Sequence, residues 1–106
     1  MDVSEIVTVS IACASDDAAQ ELARALVEAK LAACAQTAMI RSTYRWRGAV
    51  EQAPEVLLTL KTLAAKLPAL EALVKARHGY EVPEILAAPV VWASADYAAW
   101  LRESLA

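Results

Sequence analysis

Residues 39–62 read MIRSTYRWRGAVEQAPEVLLTLKT. Two runs rich in aromatic and β-branched residues flank Arg47-Gly48, a pair suited to a turn. Ala53-Pro54 marks a second irregular point, after which EVLLTLK (55–61) resumes as a strand. Two strands joined this closely predict a long antiparallel hairpin over 36–62, with Thr62 ending the second strand. Side chains alternate along a strand, so Ser42, Tyr44 and Trp46 share one face, while Arg41, Thr43, Arg45 and Arg47 take the other.

The flanking segments decide what the hairpin belongs to. EIVTVSIA (5–12) alternates, with Val7, Val9 and Ile11 on one side, and reads as a strand. In ASDDAAQELARALVEAKLAACA (14–35), Ser15 is the expected N-cap, and Asp16 and Asp17 suit the positive end of a helix dipole. Ala19, Leu22, Leu26 and Ala29 form an apolar stripe, and the helix is expected to end near Ala32. After the hairpin, Leu67, Leu70, Val74 and His78 share one helical face. Pro68 fits only the first turn, so this helix starts near Leu67 or Pro68, and Gly79 is its expected C′ residue. Residues 84–92 read as a fourth strand whose internal Pro89 implies an edge position or a bulge. SADYAAWLRESL (94–105) is a short last helix, capped by Ser94, with Tyr97, Trp100 and Leu101 on one face. The order β-α-β-β-α-β plus a terminal helix predicts an α+β, ferredoxin-like unit: an antiparallel sheet with two helices on one face. The other face carries aromatics and no helix, so it calls for a partner, most simply another subunit.

The chain has 106 residues, which suits one domain, here residues 1–106. Its net charge is −3 and its basic residues are scattered, which argues against nucleic acid as a partner. Only Gly48 and Gly79 are glycines, too few for a Gly-rich phosphate loop. No positively charged segment precedes the first apolar run, and no apolar run approaches about 18 residues, so neither a signal peptide nor a membrane span is expected. The two cysteines, Cys13 and Cys34, are then expected as reduced thiols in the cytoplasm.

Few residues suggest chemistry. His78 is the one histidine. It reads either as a ligand or proton carrier helped by Glu81 or Glu84, or as a helix-end residue favoured by the dipole. Cys34, at a helix-to-strand junction, reads as a soft-metal thiol or a small buried hydrophobe. Tyr44 and Trp46 read as an oligomer interface or as the wall of a cleft that, with Lys61, meets a ligand. No Ser-His-Asp or Cys-His set has local support.

Five ordered stretches go further: LVEAKLAACAQ (26–36), STYRWRGAVE (42–51), EVLLTLKT (55–62), RHGYEVPEILAAPV (77–90) and YAAWL (97–101). Together the chain resembles the CutA family, the divalent-cation tolerance proteins. The resemblance implies a ferredoxin-like subunit in a tight homotrimer similar in architecture to PII signalling proteins, with clefts between subunits. It implies no established enzymatic reaction. It places Cys34, Tyr44, Trp46, Lys61, His78, Tyr80 and Glu84 near the intersubunit cleft. It also implies a small ligand or a divalent metal such as copper there, with His78 the inherited ligand. Copper proposals in the family invoke a first-strand cysteine and a histidine pair; Ile11 and Arg77-His78 stand at those positions, one ligand of three, which discounts stoichiometric copper binding. Gln36 replaces a usual Asn, and TAMIRS (37–42) lacks the Pro-Gly pair that commonly interrupts the second strand. The expected role is a metal-response or small-ligand regulatory protein. The alternatives are an enzyme at the cleft, with His78 or Glu84 as acid–base and Lys61 as stabiliser, or a structural, anchoring trimer.

Overall fold

A computed structural model describes residues 5–106. Its elements are β1 (Ile6–Cys13), α1 (Asp16–Glu28), β2 (Cys34–Trp46), β3 (Ala49–Leu63), α2 (Leu67–Arg77), β4 (Leu86–Pro89) and α3 (Ala95–Ser104), with a single 3-10 turn (Ala64–Lys66) before α2. The four strands form one sheet in the order β2-β3-β1-β4, and every pairing is antiparallel. The α+β order expected from the sequence is the order observed.

The register sorts the sheet into two faces. Val7, Val9, Ile11 and Cys13 stand beside Thr62, Leu60, Leu58 and Val56. The apolar members of this set are buried with Ala19, Leu22, Ala23 and Leu26 of α1 and Leu70 and Val74 of α2. Leu67 and His78 flank that contact, half-buried. The other face carries Ile6, Thr8, Ser10 and Ala12 beside Leu63, Lys61, Thr59 and Leu57. It is not bare, as the sequence suggested. Ile6 is buried in a second cluster with Ala98, Leu101 and Leu105 of the α3 segment, flanked by Leu63. The packed side of α3 is therefore Ala98 and Leu101, while Tyr97 and Trp100 stay exposed and lie against each other at 5.4 Å.

Two helix ends depart from expectation. α1 stops at Glu28, short of Ala32, because Lys30 takes φ 58°. Lys30 N–H donates to the Val27 carbonyl at 3.1 Å and Leu31 N–H to the Leu26 carbonyl at 2.9 Å. These are the two bonds of a Schellman ending, with lysine where glycine is commoner. At α2, Gly79 is not among the residues with positive φ. The helix ends because His78 turns extended, at φ −76° and ψ 140°. Ser15 and Ser94 cap α1 and α3 as expected, their hydroxyls accepting from Ala18 and Tyr97 N–H.

The hairpin turns at Arg47-Gly48, with φ 50° and 83°. Two positive φ values suit a two-residue connection that follows the strand twist. β2 and β3 pair for seven rungs beyond the end of β1, from Ile40↔Glu55 to Trp46↔Ala49. That is a two-stranded arm of about 23 Å at the usual rise. It stretches the chain to 46 Å and raises the radius of gyration to 14.4 Å, against about 13 Å for a compact domain of this length. β4 covers Leu86–Pro89 only, shorter than the expected 84–92. It is an edge strand, as Pro89 implied, so the missing proline N–H interrupts no inner ladder.

Candidate functional site

The segment 78–85 leaves α2 and crosses the sheet face that carries Ala12, Glu55, Ser42, Tyr44 and Trp46. His78 anchors it. Its Nε2 lies 2.8 Å from the Ala12 carbonyl oxygen, and Tyr80 N–H donates to its Nδ1 at 3.1 Å. A carbonyl only accepts and a backbone amide only donates, so the partners select the neutral tautomer with the proton on Nε2. The Tyr80 ring meets the His78 ring edge-on at 4.7 Å. The Tyr80 hydroxyl then donates to Glu55 Oε2 at 2.6 Å. Glu55 keeps only 8% of its surface exposed. Burial, foremost, and the bond to Glu55 push the Tyr80 phenol well above its ordinary range, so it stays a donor.

Between the arm and this segment lies a cavity of about 600 Å³, with Tyr44, Trp46, Glu55, Tyr80, Glu81 and Glu84 in its lining. Arg47 spans two lining residues: its guanidinium is 2.7 Å from Glu81 and 5.3 Å from the centre of the Trp46 ring. The ion pair is solvent-exposed and adds little stability, about 0–1 kcal/mol. Its importance is positional, since it ties the tip of the hairpin to the segment after α2.

Within one subunit the seven candidate residues divide. Tyr44, Trp46, Tyr80 and Glu84 line the cavity. His78 fastens the segment that closes it. Cys34 and Lys61 stand side by side on β2 and β3, with Lys61 hydrogen-bonded to Gln36. Lys61 is six residues along β3 from Glu55, about 20 Å at strand rise. Cys34 lines a separate depression with Gln20, Val27 and Trp100. Three contributors escaped the sequence reading: Glu55, the Arg47–Glu81 bridge and the Ala12 carbonyl. The first was within reach. A turn at 47–48 puts Glu51 across from Tyr44 and Glu55 across from Ile40, on the Tyr44–Trp46 face.

The donors do not suit a copper site in this subunit. Both His78 nitrogens are engaged. Cys13 lies in the helix-side core, where burial, with Glu55 nearby, raises its thiol pKa. Cys34 is paired across the sheet from Lys61, and Lys61 from Thr8, four residues or about 13 Å along β1 from the carbonyl that holds His78. Among the described residues no three His, Cys, Asp or Glu side chains converge for a metal.

The phenol makes a prediction. Folding favours its neutral form, so its stabilising contribution is complete below about pH 10, the ordinary tyrosine value, and is lost as pH rises above it. Tyr80→Phe should flatten the loss of stability above pH 10, measured as urea midpoint against pH. An unchanged slope would show that ionisation of Tyr80 is not what destabilises the fold in alkali.

A profile of the CutA1 divalent ion tolerance protein family matches residues 7–104. The chain is 41% identical over 103 residues to the divalent-cation tolerance protein CutA of Thermus thermophilus, covering 96% of this chain and 98% of that protein. It is 40% identical over 94 residues to protein CutA of Homo sapiens, covering 88% of this chain but 52% of that protein, so it spans about half of the human relative's length. The structure of CutA from Synechococcus elongatus superposes with a TM-score of 0.95 at 35% identity, covering 100% of this chain and 95% of that one.

Proposed function

This chain belongs to the CutA1 divalent ion tolerance family, and from that premise we propose that it is a homotrimeric, cytoplasmic binding or regulatory protein that takes a small ligand, and is not an enzyme. The observation that carries the ligand is the 600 Å³ cavity with three aromatic side chains and the buried Glu55 in its lining. Its size falls within the range of small-molecule sites, and an apolar wall with a few convergent polar groups is their usual make-up. The titratable groups here hold one another in place. His78 is spent on Ala12 and Tyr80, and Tyr80 on Glu55, which fits binding better than proton transfer.

Association is supported by what the fold leaves uncovered. A two-stranded ribbon is marginal in water alone, and Val50 on the arm is 64% exposed, with Met39 at its base 87% exposed. Val91 and Trp92, just past the edge strand, are 89% and 76% exposed. Sedimentation at micromolar concentration should give a single species of three subunits; a folded lone subunit would overturn the assembly. For the ligand, a thermal-shift panel of divalent metals, small anions, neutral aromatics and organic cations should yield at least one class that raises the melting temperature. A flat response to every class would overturn the binding role.

A further inference from the structure

We propose that the cavity takes a small organic cation, an ammonium or guanidinium carried on an apolar body. The inference rests on the reading of this cavity as the ligand site and adds the charge of the ligand. Three carboxylates, Glu55, Glu81 and Glu84, line the cavity, and no lysine or arginine does so among the described residues. His78, behind it, is not among the lining residues, and both its nitrogens are engaged by Ala12 and Tyr80. Arg41 and Arg45 stand on the opposite face of β2. Arg47 borders the cavity but is paired with Glu81, so the lining stays net acidic and disfavours an anion.

The lining also already displays how it treats a cation. Arg47 sits within cation–π range of Trp46 and hydrogen-bonds Glu81. The same pairing of ring and carboxylate recurs deeper in, where Tyr44 and Tyr80 accompany Glu55. There no cation of the protein's own reaches the carboxylate: its one hydrogen bond among the described residues comes from Tyr80. A carboxylate accepts several hydrogen bonds, and Tyr80 uses one of them, so Glu55 keeps acceptor capacity in the cavity lining. An incoming N–H cation supplies charge and donors together. A bare metal ion fits less well, since no three ligating side chains converge, and the space far exceeds one ion.

The test is calorimetric titration of the whole protein with benzamidine and with 2-phenylethylammonium, beside phenylacetate and benzyl alcohol as anionic and neutral counterparts. The cations should bind and the counterparts should bind at least about tenfold more weakly, as expected when a charged hydrogen bond is lost. Glu55→Gln, which keeps an acceptor for Tyr80, should weaken cation binding about tenfold or more. Trp46→Leu should weaken it several-fold, on the order of threefold to tenfold, through the lost ring. Equal binding of phenylacetate or benzyl alcohol would overturn the proposal. So would cation binding that Glu55→Gln leaves unchanged. If metals or anions alone shift the melting temperature, the charge assignment fails while the binding role stands; if nothing binds, both fail.

Discussion

Leu101→Ala is expected to lower unfolding free energy by about 2–5 kcal/mol, the range for truncating a fully buried leucine. Leu101 has no exposed surface and lies in the second cluster with Ile6, Ala98 and Leu105. That cluster is small, and α3 has only ten residues, too few to hold a helix unaided. Leu101 is the largest fully buried side chain that α3 itself brings to this cluster. Against the usual 5–15 kcal/mol of a domain, the loss is a large fraction. Urea unfolding followed by circular dichroism measures it. Trp100→Ala on the same helix, where the side chain is 45% exposed and lies outside the cluster, should move the midpoint less. A loss below about 1 kcal/mol for Leu101→Ala would mean that α3 is not an integral part of the fold.

His78→Ala should cost about 2–3 kcal/mol, since it removes two hydrogen bonds and leaves the Ala12 carbonyl and the Tyr80 amide without their partner. A second readout separates anchoring from mere packing. With the anchor gone, Tyr80 loses the position that buries its ring against Glu55, so its phenol should titrate closer to an ordinary tyrosine. Ultraviolet titration of tyrosinate follows this directly. Equal destabilisation with unchanged Tyr80 titration would show that the segment is held by something other than the imidazole.

Much of this was legible in the chain because short-range rules governed it. Ser15 and Ser94 cap helices because their hydroxyls satisfy amides three residues on, and Arg47-Gly48 turns because both positions tolerate positive φ. The shared face of Ser42, Tyr44 and Trp46 followed from strand alternation alone. What escaped was decided at long range. Lys30 ends α1 in a conformation that usually marks glycine, and no local signal distinguishes it from a mid-helix lysine. His78 is stopped by a carbonyl 66 positions earlier, so the sequence suggested a glycine cap where an imidazole does the work. Lys61 and Cys34 were grouped with His78 by resemblance, at a cleft between subunits; within one subunit they share a rung about 13 Å along the sheet from the carbonyl that holds His78. Glu55 looked like an ordinary strand carboxylate, because its burial comes from a tyrosine that arrives after α2.

The position of β1 has a consequence for how the chain folds during synthesis. β1 lies inside the sheet, yet its neighbours are β3 and β4, so Ile6 waits for Leu63 and Val7 for Pro89. At ribosomal speeds of roughly 5–20 residues per second, the residues between Ile6 and Leu63 alone take several seconds to emerge. During that interval Ile6, Val7, Val9 and Ile11 form a sticky stretch with no place to dock, whereas the hairpin can zip within microseconds once made. A nascent-chain chaperone should therefore hold this strand until residue 63 clears the exit tunnel.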